Sequence, residues 1–219
     1  MRFIKQPASE GVAALGNRLQ QELSAGKRVL WFFSGGSNIP LTAQVMNGLA
    51  AELTAKLVIM PIDERYGDPG HADSNVQQLL DAGFDVKQGK LIPVLDGNPA
   101  EEAAKHFAEN LEQCLSESDI AIGQLGMGTD GHVSGILPHT SAVTANGMAH
   151  YYHGTDGHER ITTTLPMLRR LDTIWLFAYG DNKRQQLLDL RDKALPLDDQ
   201  PAQVLKEMSD ATVYNDQIE

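Results

Sequence analysis

The sequence predicts an α/β fold, a mostly parallel sheet with helices on both faces. Three observations predict it. The runs RVLWFF (28–33), LVIMPI (57–62) and TIWLFAY (173–179) are short and continuously apolar, as strands covered on both sides must be. Between such runs lie longer stretches with apolar residues at helical spacing. The two kinds alternate along the chain, and that alternation is the pattern of strand–loop–helix units.

Taken in order, residues 9–25 read as a helix that Ser9 caps, with Val12, Leu15, Leu19 and Leu23 as its stripe and Gly26 at its end. After the strand 28–33 comes SGGSN (34–38), then a helical pattern with Leu41, Val45, Leu49 and Leu53 four residues apart. The strand 57–62 opens into a loop, DERYGDPGHAD (63–73), and Ser74 caps the next helix. LIPV (91–94), a helix at about 100–117 and DIAIGQL (119–125) follow, then the turn GMGTDGH (126–132). RITTT (160–164) and TIWLFAY are further strands, and NKRQQLLDLRDK (182–193) is a helix. A PAQVLKEM helix and an ATVY strand close the chain. The polar stretch 139–159 holds four of the seven histidines and reads as an excursion from the sheet. With no repeat or linker, one domain over 1–219 of Rossmann-like layout is expected.

Composition narrows the function. A net charge of −11 argues against nucleic-acid and membrane partners, so an anionic substrate would need a local cluster of Arg or Lys. Cys114 is the only cysteine; it sits on the apolar face with Phe107 and Leu111, and the usage suits a reducing compartment. No apolar stretch has signal-peptide or membrane-span length, so a soluble, cytoplasmic protein is expected. The histidines show no metal-ligand spacing, and neither a metal nor another cofactor is expected.

In such folds ligands bind in the loops after the strands. Four of those loops carry unusual residues. In SGGSNIP (34–40), Gly35 and Gly36 let the backbone approach a ligand, and Ser37 adds a hydroxyl at a helix start suited to an anion. A plain strand-to-helix turn would use the same residues. In DERY (63–66), charges ending a buried strand need partners or a ligand. Arg65 suits a phosphate or carboxylate, and Asp63 suits orienting a histidine or a sugar hydroxyl; an exposed ion pair is the plainer alternative. GMGTDGH offers Asp130 and His132 as an acid–base pair among three glycines. In GDNK (180–183), Lys183 falls on the first turn of a helix, where its ammonium can meet a phosphate; taken alone, the segment reads more simply as a solvated helix lysine.

With these segments in this order, the chain resembles the 6-phosphogluconolactonase family, part of a larger group shared with glucosamine-6-phosphate deaminase. The matching elements are SGGSNIP, DER with Ser74-Asn75, GMGTDGH with Leu137-Pro138, RITTTLP (160–166) and Gly180 to Lys183. The resemblance implies that family's fold and hydrolysis of 6-phospho-D-glucono-1,5-lactone to 6-phosphogluconate, a step of the pentose phosphate pathway, without metal or cofactor. It makes His132 the general base, with Asp63 supporting the arrangement. Arg65 and Lys183 would hold the phosphate with Gly35, Gly36 and Ser37, and Arg160 of RITTTLP joins the substrate-binding set. The implied partner is a small sugar phosphate, and the implied assembly a monomer or small homo-oligomer.

The sequence departs from the family pattern in two places. Asn38-Ile39 stands where a single threonine is usual, and VSGILPHT follows His132 where Thr-Ala-Ser-Leu-Phe-Pro-Gly is more common. The deaminases carry Asn-Glu-Pro after their histidine, whereas this chain reads Ile136-Leu137-Pro138, and they tend to Asp-Glu-Tyr where this chain has Asp63-Glu64-Arg65. Both points favour the lactonase over the deaminase or isomerase. A non-catalytic sugar-phosphate-binding protein is the remaining alternative.

Overall fold

A computed structural model describes residues 1–219. Seven parallel strands form the central sheet: β1 (Arg2–Lys5), β2 (Val29–Phe33), β3 (Leu57–Pro61), β5 (Lys90–Leu91), β6 (Ile120–Gly126), β9 (Thr173–Ala178) and β10 (Ala211–Asn215). Their spatial order is β1-β10-β9-β6-β2-β3-β5. A second sheet pairs β4 (Asp63–Arg65), β8 (Glu159–Thr163) and β7 (Ala149–His153) in antiparallel fashion.

Alternation along the central strands builds two cores. In β2, Val29, Trp31 and Phe33 face one side, where Leu15, Leu19 and Leu23 of helix α1 (Ala8–Ser24) and Val45 and Met46 of α2 (Ile39–Gly48) cover them. Leu30 and Phe32 face the other side, toward Phe107, Leu111 and Cys114 of α4 (Ala100–Glu117). Ile161 and Tyr152 of the antiparallel sheet join that second core. A parallel sheet covered on both faces must have such strands, and β2 is buried at all five positions.

Several elements differ from the sequence reading. DER is no loop but strand β4, which leaves the main sheet after Pro61 and pairs with β8. RITTT likewise lies in the small sheet, outside the parallel one. The stripe from Leu41 to Leu53 is broken, because α2 ends at Gly48 and residues 51–56 form a 3-10 turn; Asn47-Gly48 are poor helix formers. LIPV contributes only Leu91 to a strand, the two-residue β5 at the edge of the sheet. Ser9 lies inside α1, whose first turn has no side-chain cap. PAQVLKEM is a 3-10 helix, and the short β1 was not anticipated. The stretch 139–159 holds a four-residue helical turn (Ser141–Thr144, α5) and β7, and so it does leave the main sheet.

The chain runs outward from β2 to β3 and β5, then returns to place β6 on the other side of β2. This reversal opens a crevice between the carboxyl ends of β2 and β6, where open α/β sheets bind ligands.

Candidate active site

That crevice is a pocket of about 250 Å³ whose 17 lining residues include one hydrophobic side chain, Met127. Such a wall suits a strongly polar ligand. Gly35, Gly36, Ser37, Asp63, Arg65, His132, Arg160 and Lys183 all line it. Asp130 stands behind them, with its carboxylate on His132.

The loop after β2 tightens at once into a 3-10 turn (Gly36–Asn38), and its first internal bond runs from Asn38 N to Gly35 O at 3.3 Å. The amides of Gly36 and Ser37 precede that bond and are free to meet an anion. Asn38 is accommodated by this turn. Buried, it donates to Phe177 O at 3.4 Å and accepts from Gln124 at 3.4 Å, which ties the ends of β2, β6 and β9 together.

His132 and Asp130 form a fixed pair. The imidazole Nδ1 lies 2.7 Å from Asp130 Oδ1, which also accepts the His132 backbone N–H at 3.1 Å. Burial resists ionisation of Asp130, but the bonds and charge of His132 outweigh it and hold the carboxyl below its ordinary value. An ionised Asp130 makes Nδ1 the protonated nitrogen and leaves Nε2 as the free base. Gly128 makes room for the pair, since a Cβ there would collide with both the ring and the carboxylate.

Asp63 is buried at the start of β4, and its pKa is raised by that burial against the pull of Arg65, Arg160 and His132. Arg65 and Arg160 are direct cross-strand partners in β4 and β8, a like-charge placement that opposes folding unless anions compensate. The two are treated differently. Buried Arg160 holds Asp156 with both terminal nitrogens at 2.6 Å, and this fork keeps the Asp156 carboxyl at about 2. Arg65 spends its guanidinium only on Asp73 O, at 3.1 Å. Half-buried Lys183 enters no ion pair; burial lowers its pKa while the charge of Asp130 pulls it back up.

Three participants were missed as individual site residues. Asp156 lies in the polar hairpin turn between β7 and β8, and nothing in the sequence pairs it with Arg160. Buried Asn75 lines the pocket, donates to Asp63 O at 2.8 Å, and keeps an unpartnered Oδ1 there. Its sequence signals were the Ser74 cap before it and the Ser74-Asn75 pair in the family resemblance, neither of which gave it a role. Glu64, in the middle of DER, is fully buried beneath the pocket. It accepts from Asn75 N (2.6 Å), Arg65 N (2.8 Å), Ser74 Oγ (2.9 Å) and Val76 N (3.1 Å), and so fixes the start of α3 (Asn75–Asp81). Burial raises the Glu64 pKa against these four donors. A carboxamide cannot accept at both ends, so Glu64→Gln is expected to cost about 1–3 kcal/mol of stability, read as a lowered denaturation midpoint.

A parallel sheet with a polar crevice at its switch point, lined by Arg65, Arg160 and Lys183, has the charge to suit a small polar anion. Over residues 5–214 the chain matches the model of the glucosamine-6-phosphate isomerases/6-phosphogluconolactonase family, and it belongs to that family. It is 32% identical over 135 residues to a 6-phosphogluconolactonase of Nostoc sp., an alignment covering 57% of this chain and 56% of that protein. The match thus spans little more than half of that relative's length. With a 6-phosphogluconolactonase of Mycobacterium tuberculosis it is 27% identical over 193 residues, 78% of each chain. A 6-phosphogluconolactonase structure from Shewanella baltica superposes with a TM-score of 0.82 at 21% identity, over 98% of this chain and 96% of that one. A monomeric glucosamine-6-phosphate deaminase superposes almost as well, with a TM-score of 0.80 at 17% identity over 98% and 97%. The fold is therefore shared by both chemistries, and the choice between them rests on the residues of the pocket.

Proposed function

We propose that this chain, acting as one unit over residues 1–219, hydrolyses 6-phospho-D-glucono-1,5-lactone to 6-phosphogluconate. The observation that carries the reading is the His132–Asp130 pair in the wall of a polar pocket, with Arg65 and Lys183 available for a phosphate. His132 Nε2 takes a proton from water as the water oxygen adds to the lactone carbonyl. The tetrahedral oxyanion then collapses, the bond from the carbonyl carbon to the ring oxygen breaks, and the imidazolium returns its proton to that oxygen. Asp130 stabilises the imidazolium in between, and the new carboxylic acid loses its remaining proton to solvent. Arg65, Lys183 and the amides of Gly36 and Ser37 receive the phosphate, and Arg160, held by Asp156, adds its charge from the pocket wall. No step calls on a metal.

Deamination of an amino-sugar phosphate needs a further acid–base group. The residue where the deaminases carry glutamate is Leu137, which is packed in the core and contributes nothing to the pocket. The purified chain should therefore accelerate opening of freshly made lactone above its spontaneous rate, with chelator present, and release no ammonia from glucosamine 6-phosphate. Ammonia release, or activity abolished by the chelator, would overturn the reading.

A further inference from the structure

Residue 134 carries two costs that a glycine would avoid. Its φ is +53°, in the left-handed region that side chains disfavour. Its hydroxyl is buried in a residue only 2% exposed and has no partner in the protein. Ser134 nevertheless lines the pocket beside His132 and Asp63. Strain and an orphaned polar group at one pocket residue are the marks of a group held for a ligand.

The backbone around it is pinned. Ile136 N donates to Val133 O at 2.8 Å and closes a tight turn with Ser134 and Gly135 at its centre. Thr162 Oγ1 donates to the Ser134 carbonyl, and Tyr152 OH donates to Gly135 O at 2.5 Å. None of these contacts uses the Ser134 side chain. Gly135, at φ +63°, lies against Asp63; a Cβ there would fall 2.5 Å from Asp63 Oδ2. Ser134 and the aspartate carboxylate are thus brought to one stretch of wall by the same turn.

We infer that Ser134 is a specificity-determining contact for a hydroxyl of the sugar, not for its phosphate. A sugar hydroxyl is both donor and acceptor, so it can donate to Asp63 while accepting from Ser134 Oγ. A phosphate oxygen can only accept, and so cannot make the donated half of this pair of bonds. The inference rests on the sugar-phosphate reading of the pocket, and binding measurements separate it from the reaction.

The test compares Ser134→Ala and Ser134→Gly with wild type by calorimetric titration of 6-phosphogluconate and of n-hexyl phosphate, which has the charge without the hydroxyls. Both variants should bind 6-phosphogluconate about tenfold more weakly, the scale of one hydrogen bond, and n-hexyl phosphate unchanged. Ser134→Gly should melt at or above the wild-type temperature, because glycine adopts φ +53° freely. Unchanged affinity for 6-phosphogluconate, equal losses on both ligands, or weakened binding accompanied by a lowered Tm in Ser134→Gly would each overturn the contact. If wild type binds 6-phosphogluconate in this Ser134-dependent way but opens no lactone, the proposed reaction fails and the contact stands.

Discussion

Replacing His132 with alanine is expected to lower the rate of lactone opening by about 10²–10⁴-fold, the range that a positioned general base contributes. The fold should survive, because the ring is a partly exposed group in the pocket wall and its loop is held by bonds that do not use it: Gly128 N to the His132 carbonyl at 2.9 Å and Gly131 N to Gly128 O at 3.1 Å. Asp130→Asn should cost less, about 10–100-fold, since it removes one charge-assisted bond and leaves the base in place. Both variants should retain wild-type affinity for 6-phosphogluconate. A His132→Ala enzyme within a few-fold of wild type would move the proton transfer to another group. Neither His139 nor His153 qualifies by position: His139 is paired with Asp198 at 2.9 Å, His153 with Glu159 at 3.3 Å, and both lie outside the pocket.

The parallel half of the fold was legible because burial on both faces leaves a strong mark on sequence. β2, β3, β6 and β9 are largely apolar runs bounded by polar turns. The small antiparallel sheet left no such mark. β4 is three charged residues, and it becomes a strand only because β8 pairs with it from about a hundred positions away. β7 reads as a polar stretch because its exposed face carries His153 and only Tyr152 is fully buried. Its structural work is done by that tyrosine, whose hydroxyl pins the turn after His132.

The pocket lining was legible where a glycine-rich turn ends a strand, as at Gly35-Gly36 and Gly128 to His132. It was illegible where a polar residue acts inward. Glu64 and Arg65 are neighbours with the same outward look in sequence, yet strand alternation sends Glu64 under the pocket to hold α3 and leaves Arg65 on the rim. Likewise, the sequence gives Arg160 as a charge for the substrate, whereas the structure has it already joined to Asp156. Asp156 stands only four residues before Arg160, but the hairpin turn that folds it back onto the guanidinium left no mark in the sequence, and that pairing leaves Arg65 and Lys183 as the pocket cations outside any ion pair.

That difference shapes the expected behaviour of the phosphate site. Lys183→Met should cut kcat/KM for the phosphorylated lactone by about 10–100-fold, since a charge-assisted bond is worth about 1.5–3 kcal/mol and about 1.4 kcal/mol is tenfold. Arg65→Lys should also be damaging, because an ammonium cannot reproduce a forked contact while holding Asp73 O. Neither change should alter the slow opening of unphosphorylated gluconolactone, and neither should shift Tm greatly, because neither cation is committed to an ion pair. Arg160 differs. It is buried, with Asp156 on its fork, and Arg160→Lys is expected to lower Tm as well as affinity. Measuring the three variants on both lactones, with a melting curve for each, separates the roles. Equal losses on the two lactones for Lys183→Met and Arg65→Lys would place these residues with the ring chemistry or the fold, and the phosphate assignment would fall.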